Sequence, residues 1–146
     1  MFVDKQAEFS NSQAVTAAAI STNQYDRGLG RNALVDLGAG ASGLFLVVQI
    51  DTAFSGGAAT ALTITLESDV ASTLASAPVV HYSSGAIAAA SLVPGGLLLI
   101  PMPAGNYKEF VGLRYTPTGG SFGAGAISAF LTTTPQTWRA YANARS

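Results

Sequence analysis

The stretch Gly43–Phe54, GLFLVVQIDTAF, decides the fold. From Leu44 to Ile50 only Gln49 is polar, and the rest are branched or aromatic. The run is too short for a stable helix. It lies between Gly43 and the turn-forming Asp51–Gly57 (DTAFSGG), so it reads as a strand buried on both faces. Leu44, Phe45, Leu46, Val47, Val48 and Ile50, at about 1.5–3 kcal/mol per buried side chain, offer more burial than any other segment. It is the expected central strand of a β-sandwich, with the rest of the chain covering it.

The neighbouring segments suit that role. Leu62–Glu67 (LTITLE) alternates, with Leu62, Ile64 and Leu66 on one side and Thr63, Thr65 and Glu67 on the other, as in a half-buried antiparallel strand. Leu97–Ile100 is a buried strand stopped by Pro101, and Phe110–Thr116 places Val111, Leu113 and Tyr115 on one face. Ala126–Leu131 is the last core strand. Leu34–Leu37, Val79–Tyr82 and Ala86–Leu92 read as weaker strands, as does Ala14–Ile20, whose Val15, Thr16 and Ile20 outweigh its alanines. Asn23–Asn32, Gly38–Gly43, Ser68–Ala77 (with room for one helical turn), Pro94–Gly96, Ala104–Asn106 and Pro117–Gly120 are turns and loops. About eight short strands and no convincing amphipathic helix predict one antiparallel β-sandwich or jelly roll. Its expected extent is residues 14–132, after an N-terminal arm (1–13) and before a C-terminal tail (133–146).

Composition removes several function classes. A net charge of −1 leaves no basic footprint for nucleic acid. The absence of cysteine excludes a disulfide scaffold, thiolate chemistry and cysteine-ligated zinc, and suits a reducing cytoplasm. Charged residues make up 10% of the chain, against about 25% in ordinary globular domains. No Asp, Glu, Lys or Arg occurs from Val70 to Tyr107, or from Tyr115 to Trp138. Such depletion is typical of surfaces that rest against other subunits. Ala86–Pro103 is apolar, but Pro94-Gly95-Gly96, Pro101 and Pro103 divide it into pieces far short of the ~20 residues of a membrane span. The N-terminus has no signal-peptide pattern.

The motifs that carry chemistry do not survive their context. Gly28–Ala33 and Gly38–Gly43 fit the dinucleotide fingerprint literally, yet that site needs a buried strand before the glycines and a helix after them. The first follows polar STNQYDR and the second runs straight into a strand, so both are glycine-rich turns. His81, the lone histidine, could pair with Ser83 or Ser84, but no context supplies an orienting carboxylate or a strained nucleophile turn. Glu67 and Asp69 read as a solvated strand edge, and no calcium-type loop occurs. The expectation is no enzyme, no cofactor and no metal.

The remaining candidates are contact residues. Phe2, Val3 and Phe9 lie in the arm, and Arg27 and Arg31 in a polar loop. Arg114 stands alone in FVGLRYT, where a planar fork of donors suits a subunit contact. Trp138, Arg139 and Tyr141 in the tail have the residue types that dominate interface hot spots.

The chain resembles the jelly-roll capsid cement (decoration) proteins of short-tailed bacteriophages over nearly its whole length. The resemblance rests on the arm residues Phe2, Asp4, Lys5 and Gln6, on LFLVVQIDTAF (Leu44–Phe54), ALTITLESD (Ala61–Asp69), IPMPAG (Ile100–Gly105), LRYT (Leu113–Thr116) and QTWRAY (Gln136–Tyr141). It implies a virion structural protein on the outer capsid surface, assembled in the host cytoplasm. Its partner would be a major capsid protein of the HK97-type fold, whose capsomers it would bridge as a homo-oligomer, a dimer being favoured and a trimer possible. Nucleic acid, membrane and small-molecule substrates are not expected partners. The alternative is another virion or tail-associated jelly roll that binds carbohydrate, with Tyr25, Tyr82 and Tyr107 as candidate aromatics.

Overall fold

The computed structural model describes residues 8–26, 45–103 and 106–132. Nine strands occur among them: β1 (Glu8–Ala14), β2 (Ala19–Ile20), β3 (Tyr25–Asp26), β4 (Phe45–Ser55), β5 (Ala61–Asp69), β6 (Val79–Ala88), β7 (Leu97–Pro101), β8 (Phe110–Thr118) and β9 (Ala124–Thr132). One sheet has the order β1-β9-β4-β7 and the other β2-β8-β5-β6, with β3 continuing beside β8. All these strands pair antiparallel. With β2 and β3 counted as one interrupted strand, this is the strand order of a jelly roll. No α-helix occurs among the described residues, so no helix there is long and apolar enough to cross a membrane.

The decisive stretch forms β4, between β9 and β7. Leu46, Val48 and Ile50 enter the core between the sheets, where Leu62, Ile64 and Leu66 of β5 and Leu113 and Tyr115 of β8 meet them. Val47, and Phe130 opposite it on β9, alternate to the other face and are buried as well. Burial on both faces holds for β4. Its end does not fall at Asp51: after an irregularity at Ile50–Thr52 the pairing with β9 resumes and continues to Ser55, so the turn is confined to 56–58.

Several boundaries move for the same reason: backbone pairing continues past the last patterned side chain. Glu8–Ala14 belongs to the sandwich as β1, although EFSNSQA carries no alternation. The expected strand Ala14–Ile20 contracts to Ala19–Ile20. Val79–Tyr82 and Ala86–Leu92 are one strand up to Ala88, broken by extra residues near His81 and Ser84, and followed by a 3-10 turn at Ala89–Ser91. Strand β8 includes Pro117. Leu113 accepts from the Ser21 N–H and donates its own N–H to Ser21 Oγ, both on the side away from β5, so Pro117, four residues on, aims its missing N–H away from β5 and removes no bond from that ladder. The expected strand Leu34–Leu37 lies outside the described residues.

Candidate functional site

Two regions of the sandwich differ in kind. At the Asp69 end of β5, the acids that read as a solvated edge are buried instead: Glu67 is 4% exposed and Asp69 0%. They hold down the loop 70–78. Asp69 accepts from the N–H groups of Val70 (2.6 Å), Ser76 (2.8 Å) and Ala77 (3.0 Å). Burial pushes its carboxyl up, but the N–H groups of Ala77, Ser76, Val70 and Ala71 outweigh that and keep it below 3.8. Lys108 donates its Nζ to the Ala77 carbonyl.

Arg114 belongs to the same clamp. Its Nε donates to both oxygens of Glu67 at 3.0 and 3.1 Å, and its Nη2 donates to the Leu74 carbonyl. Thr65 completes the Glu67 carboxylate with an O–H bond of 2.8 Å. Leu74 itself is fully buried at φ 52°, a left-handed conformation rare for leucine. The bareness of Gly112 makes room for it, since a β-carbon there would lie 3.0 Å from Leu74 Cδ1. Arg114, a candidate either for a solvent-facing position or for a subunit contact, is engaged by Glu67 and Leu74 within its own chain, with a third of its side chain exposed.

Phe9 is a correction. It is 0% exposed and lies in the inter-sheet core, because β1 carries it into the sandwich. It cannot act as a surface anchor in this fold. The other contact candidates, Phe2, Val3, Arg27, Arg31, Trp138, Arg139 and Tyr141, lie outside the described residues.

His81 pairs with neither Ser83 nor Ser84. Its Nε2 is 2.7 Å from Ser68 Oγ, which also accepts the Lys108 N–H at 3.0 Å, and its ring stacks on Tyr107 with centroids 4.0 Å apart. Ser68 is fully buried. A serine enclosed in this way offers no approach to a substrate, and the pair ties β6 to β5 and to the chain entering β8. Tyr107, one of the three aromatics considered for sugar binding, is 5% exposed with its hydroxyl donating to the Pro103 carbonyl at 2.5 Å. Tyr25 and Tyr82 pack against the core. Among the described residues no group of three or more His, Cys, Asp or Glu is placed to hold a metal ion.

Elsewhere polar groups also serve as ties. Tyr115 on β8 meets Ser10 on β1 at 2.7 Å, linking the two sheets; Ser10 in turn donates to Gln13. Burial pushes the Tyr115 phenol up, against the smaller lowering effect of Ser10. Asp51 on β4 accepts from Gln49 (2.8 Å), Ser12 (3.2 Å) and Ser128.

The other region is the open side of the sandwich, where β6 and β7 are the last strands of their sheets. Large apolar side chains stand exposed on or near it: Val79 (42%), Val80 (54%), Val93 (45%) and Leu99 (45%). Between the two edges lies a pocket of about 180 Å³ lined by Val48, Ile50, Ile64, Ile87, Ser91, Leu92, Gly96 and Leu98. Both edge strands and the chain joining them fall within the uncharged span Val70–Tyr107. No carboxylate, imidazole or amine lines the pocket, so it can accept an apolar group and carries no acid or base.

Residues 9–131 match the family model described as Bbp16. The chain belongs to the Bbp16 family. The match runs from Phe9 in β1 to Leu131 in β9, and so takes in both sheets, the clamp and the open side. No curated protein matches the chain.

Sequence reasoning missed the clamp because its signal is faint. An acid closing a strand (Asp69), followed by a short loop with Ser76 and Ala77, marks a side chain that caps backbone N–H groups. The partner arginine lies 47 positions from Glu67, and only the β5–β8 register, with Thr65 opposite Arg114, brings them together.

Proposed function

We propose that this Bbp16-family protein is a capsid cement protein. It would bind the outer surface of a shell of HK97-type major capsid protein and bridge neighbouring capsomers. The observation that carries this reading is the apolar edge formed by β6 and β7, with Val93 and Leu99 exposed beside an apolar pocket and Val79 and Val80 exposed at the far end of β6. A lone domain in water gains nothing from that surface, whereas a protein that spends its working life against other subunits does. The resemblance of its strands and termini to jelly-roll cement proteins supports the same conclusion.

Mechanistically, each copy makes modest contacts with more than one capsid subunit. The lattice fixes those subunits, so a second contact forms at high effective concentration and the total affinity exceeds that of either alone. Separating two capsomers then requires several contacts to break together. Residues at the two termini would add further contacts.

The test is co-sedimentation of purified protein with empty shells of the capsid protein from the same virus. Saturable binding to the shell exterior and a higher shell disruption temperature are expected. Deleting residues 133–146 should leave the sandwich folded and reduce decoration. Shells that neither bind the full-length protein nor gain stability from it would overturn the proposal.

A further inference from the structure

The edge of β7 and the pocket beneath it form one feature. Ile50 donates its N–H to the Gly96 carbonyl at 3.1 Å. Alternation along an antiparallel ladder then turns the backbone groups of Leu98 and Ile100 toward β4 and those of Leu97 and Leu99 away from it. Among the described residues β7 has no strand on that outer side. Its pairing with β4 is regular from Leu97 to Pro101, whereas β6, the other edge here, is interrupted twice. A regular edge accepts another strand more readily than a bulged one.

A strand added there lies about 4.8 Å outside β7 and projects alternate side chains into the gap between the sheets. That gap is the pocket of about 180 Å³, walled by Val48, Ile50, Ile64, Ile87 and Leu98. An apolar cavity of about 150 Å³ lined by such groups holds a benzene ring, so one large side chain fits.

We propose that β7 accepts an extended segment of a partner protein as an additional strand, with one bulky apolar side chain seated in this pocket. The segment is uncharged, because residues 70–107 contain no counter-ion for a charge brought into the site. It comes from an arm or loop without a core of its own. A second copy's β7 does not qualify, since its inward residues Leu98 and Ile100 already pack in their own sandwich. The inference rests on the cement-protein reading only in taking the shell as the source of the segment.

The experiment uses isolated full-length protein and two probes. Benzene at saturation should shift the methyl NMR signals of Ile64, Ile87 and Leu98 and leave those of Leu113 in place; Ile87→Trp, which fills the pocket from an edge strand, should abolish the shift without loss of cooperative unfolding. The second probe is the segment Thr-Thr-Phe-Thr-Thr, tethered after Ser146 by a flexible Gly/Ser linker so that it is present at millimolar effective concentration. Amide exchange at Leu97 and Leu99 should slow about tenfold, and replacing the tethered Phe by Ser should restore the original rates. A wild-type protein whose methyl signals ignore benzene, or whose Leu97 and Leu99 amides exchange equally with and without the tethered segment, overturns the inference. Failure to bind shells bears on the cement-protein reading alone, because neither probe involves a shell.

Discussion

Strands β5 and β6 are antiparallel neighbours of nearly equal length, and they handle polarity in opposite ways. From Leu66 to Asp69 every residue of β5 is buried, including two acids, while no residue of β6 is. Strand β6 has no charge at all and leaves Val79 and Val80 largely exposed. An ordinary soluble domain places charge outside and valine inside. Here the acids of β5, with Arg114 and Lys108, fasten a loop, and the adjacent edge is left apolar and bare. The contrast separates two uses of a low charge content: Glu67 and Asp69 are buried and fasten a loop, while β6 beside them presents valines to solvent.

The comparison breaks first if β5 is not the tighter side. Leu66→Ala, which empties a fully buried site on β5, should cost about 2–5 kcal/mol by urea unfolding at constant m. The next pair holds backbone conformation fixed. Gly57 and Gly85 have nearly the same φ, 69° and 70°, so an alanine at either pays the same left-handed strain of about 1–2 kcal/mol. A β-carbon at Gly57 would also fall 2.0 Å from the Ser121 carbonyl oxygen, while at Gly85 it meets nothing within 4 Å. Gly57→Ala should therefore be several-fold more damaging than Gly85→Ala. Equal losses would mean that the turn at Gly57 yields as easily as the open edge.

The clamp supplies smaller effects. Arg114→Met removes the bonds to Glu67 and to the Leu74 carbonyl and leaves a buried carboxylate without its cation. A loss of about 1–3 kcal/mol is expected, and Glu67→Gln combined with Arg114→Met should be less destabilising than the two single losses added together. Asp69 adds a pH signature. Its folded pKa is lowered below 3.8, so its contribution is fully present above the unfolded value and disappears as pH falls through the folded one. The urea midpoint of the wild type should decline between about pH 5 and pH 2 by more than that of Asp69→Asn. Parallel declines would remove Asp69 as the residue holding the loop.

The fold was legible because it is written in contiguous side chains. Leu44–Ile50 could only be a strand buried on both faces, and the alternation of Leu62–Glu67 and Phe110–Thr116 orients two more. What escaped is carried by backbone pairing and by contacts remote in sequence. Strand β1 has one core residue, Phe9, and is held to β9 through two register shifts, so its pattern could not reveal it. Pro117 reads as a turn until the phase of β8 shows its nitrogen facing away from the β5 ladder. Likewise Ser68, His81 and Lys108 meet only through the fold. The charge-free span Val70–Tyr107 was visible throughout, but that it supplies both edge strands beside the apolar pocket depends on β6 and β7 ending their sheets together.

The smallest expected change in stability is also the sharpest test of that open side. Val80 is 54% exposed on β6, so Val80→Thr, which keeps β-branching and adds a hydroxyl, should alter unfolding free energy by no more than about 0.5 kcal/mol. If the open side is a contact surface, the same substitution should weaken shell decoration measurably, because a hydroxyl buried at an interface without a partner costs more than one left in water. A stability loss approaching that of Leu66→Ala would mean that Val80 is covered within its own chain. Unchanged stability with unchanged decoration would place the contact elsewhere, and would shift attention to β7 and the pocket, where Leu99→Lys puts a charge on the same uncharged side without touching the core.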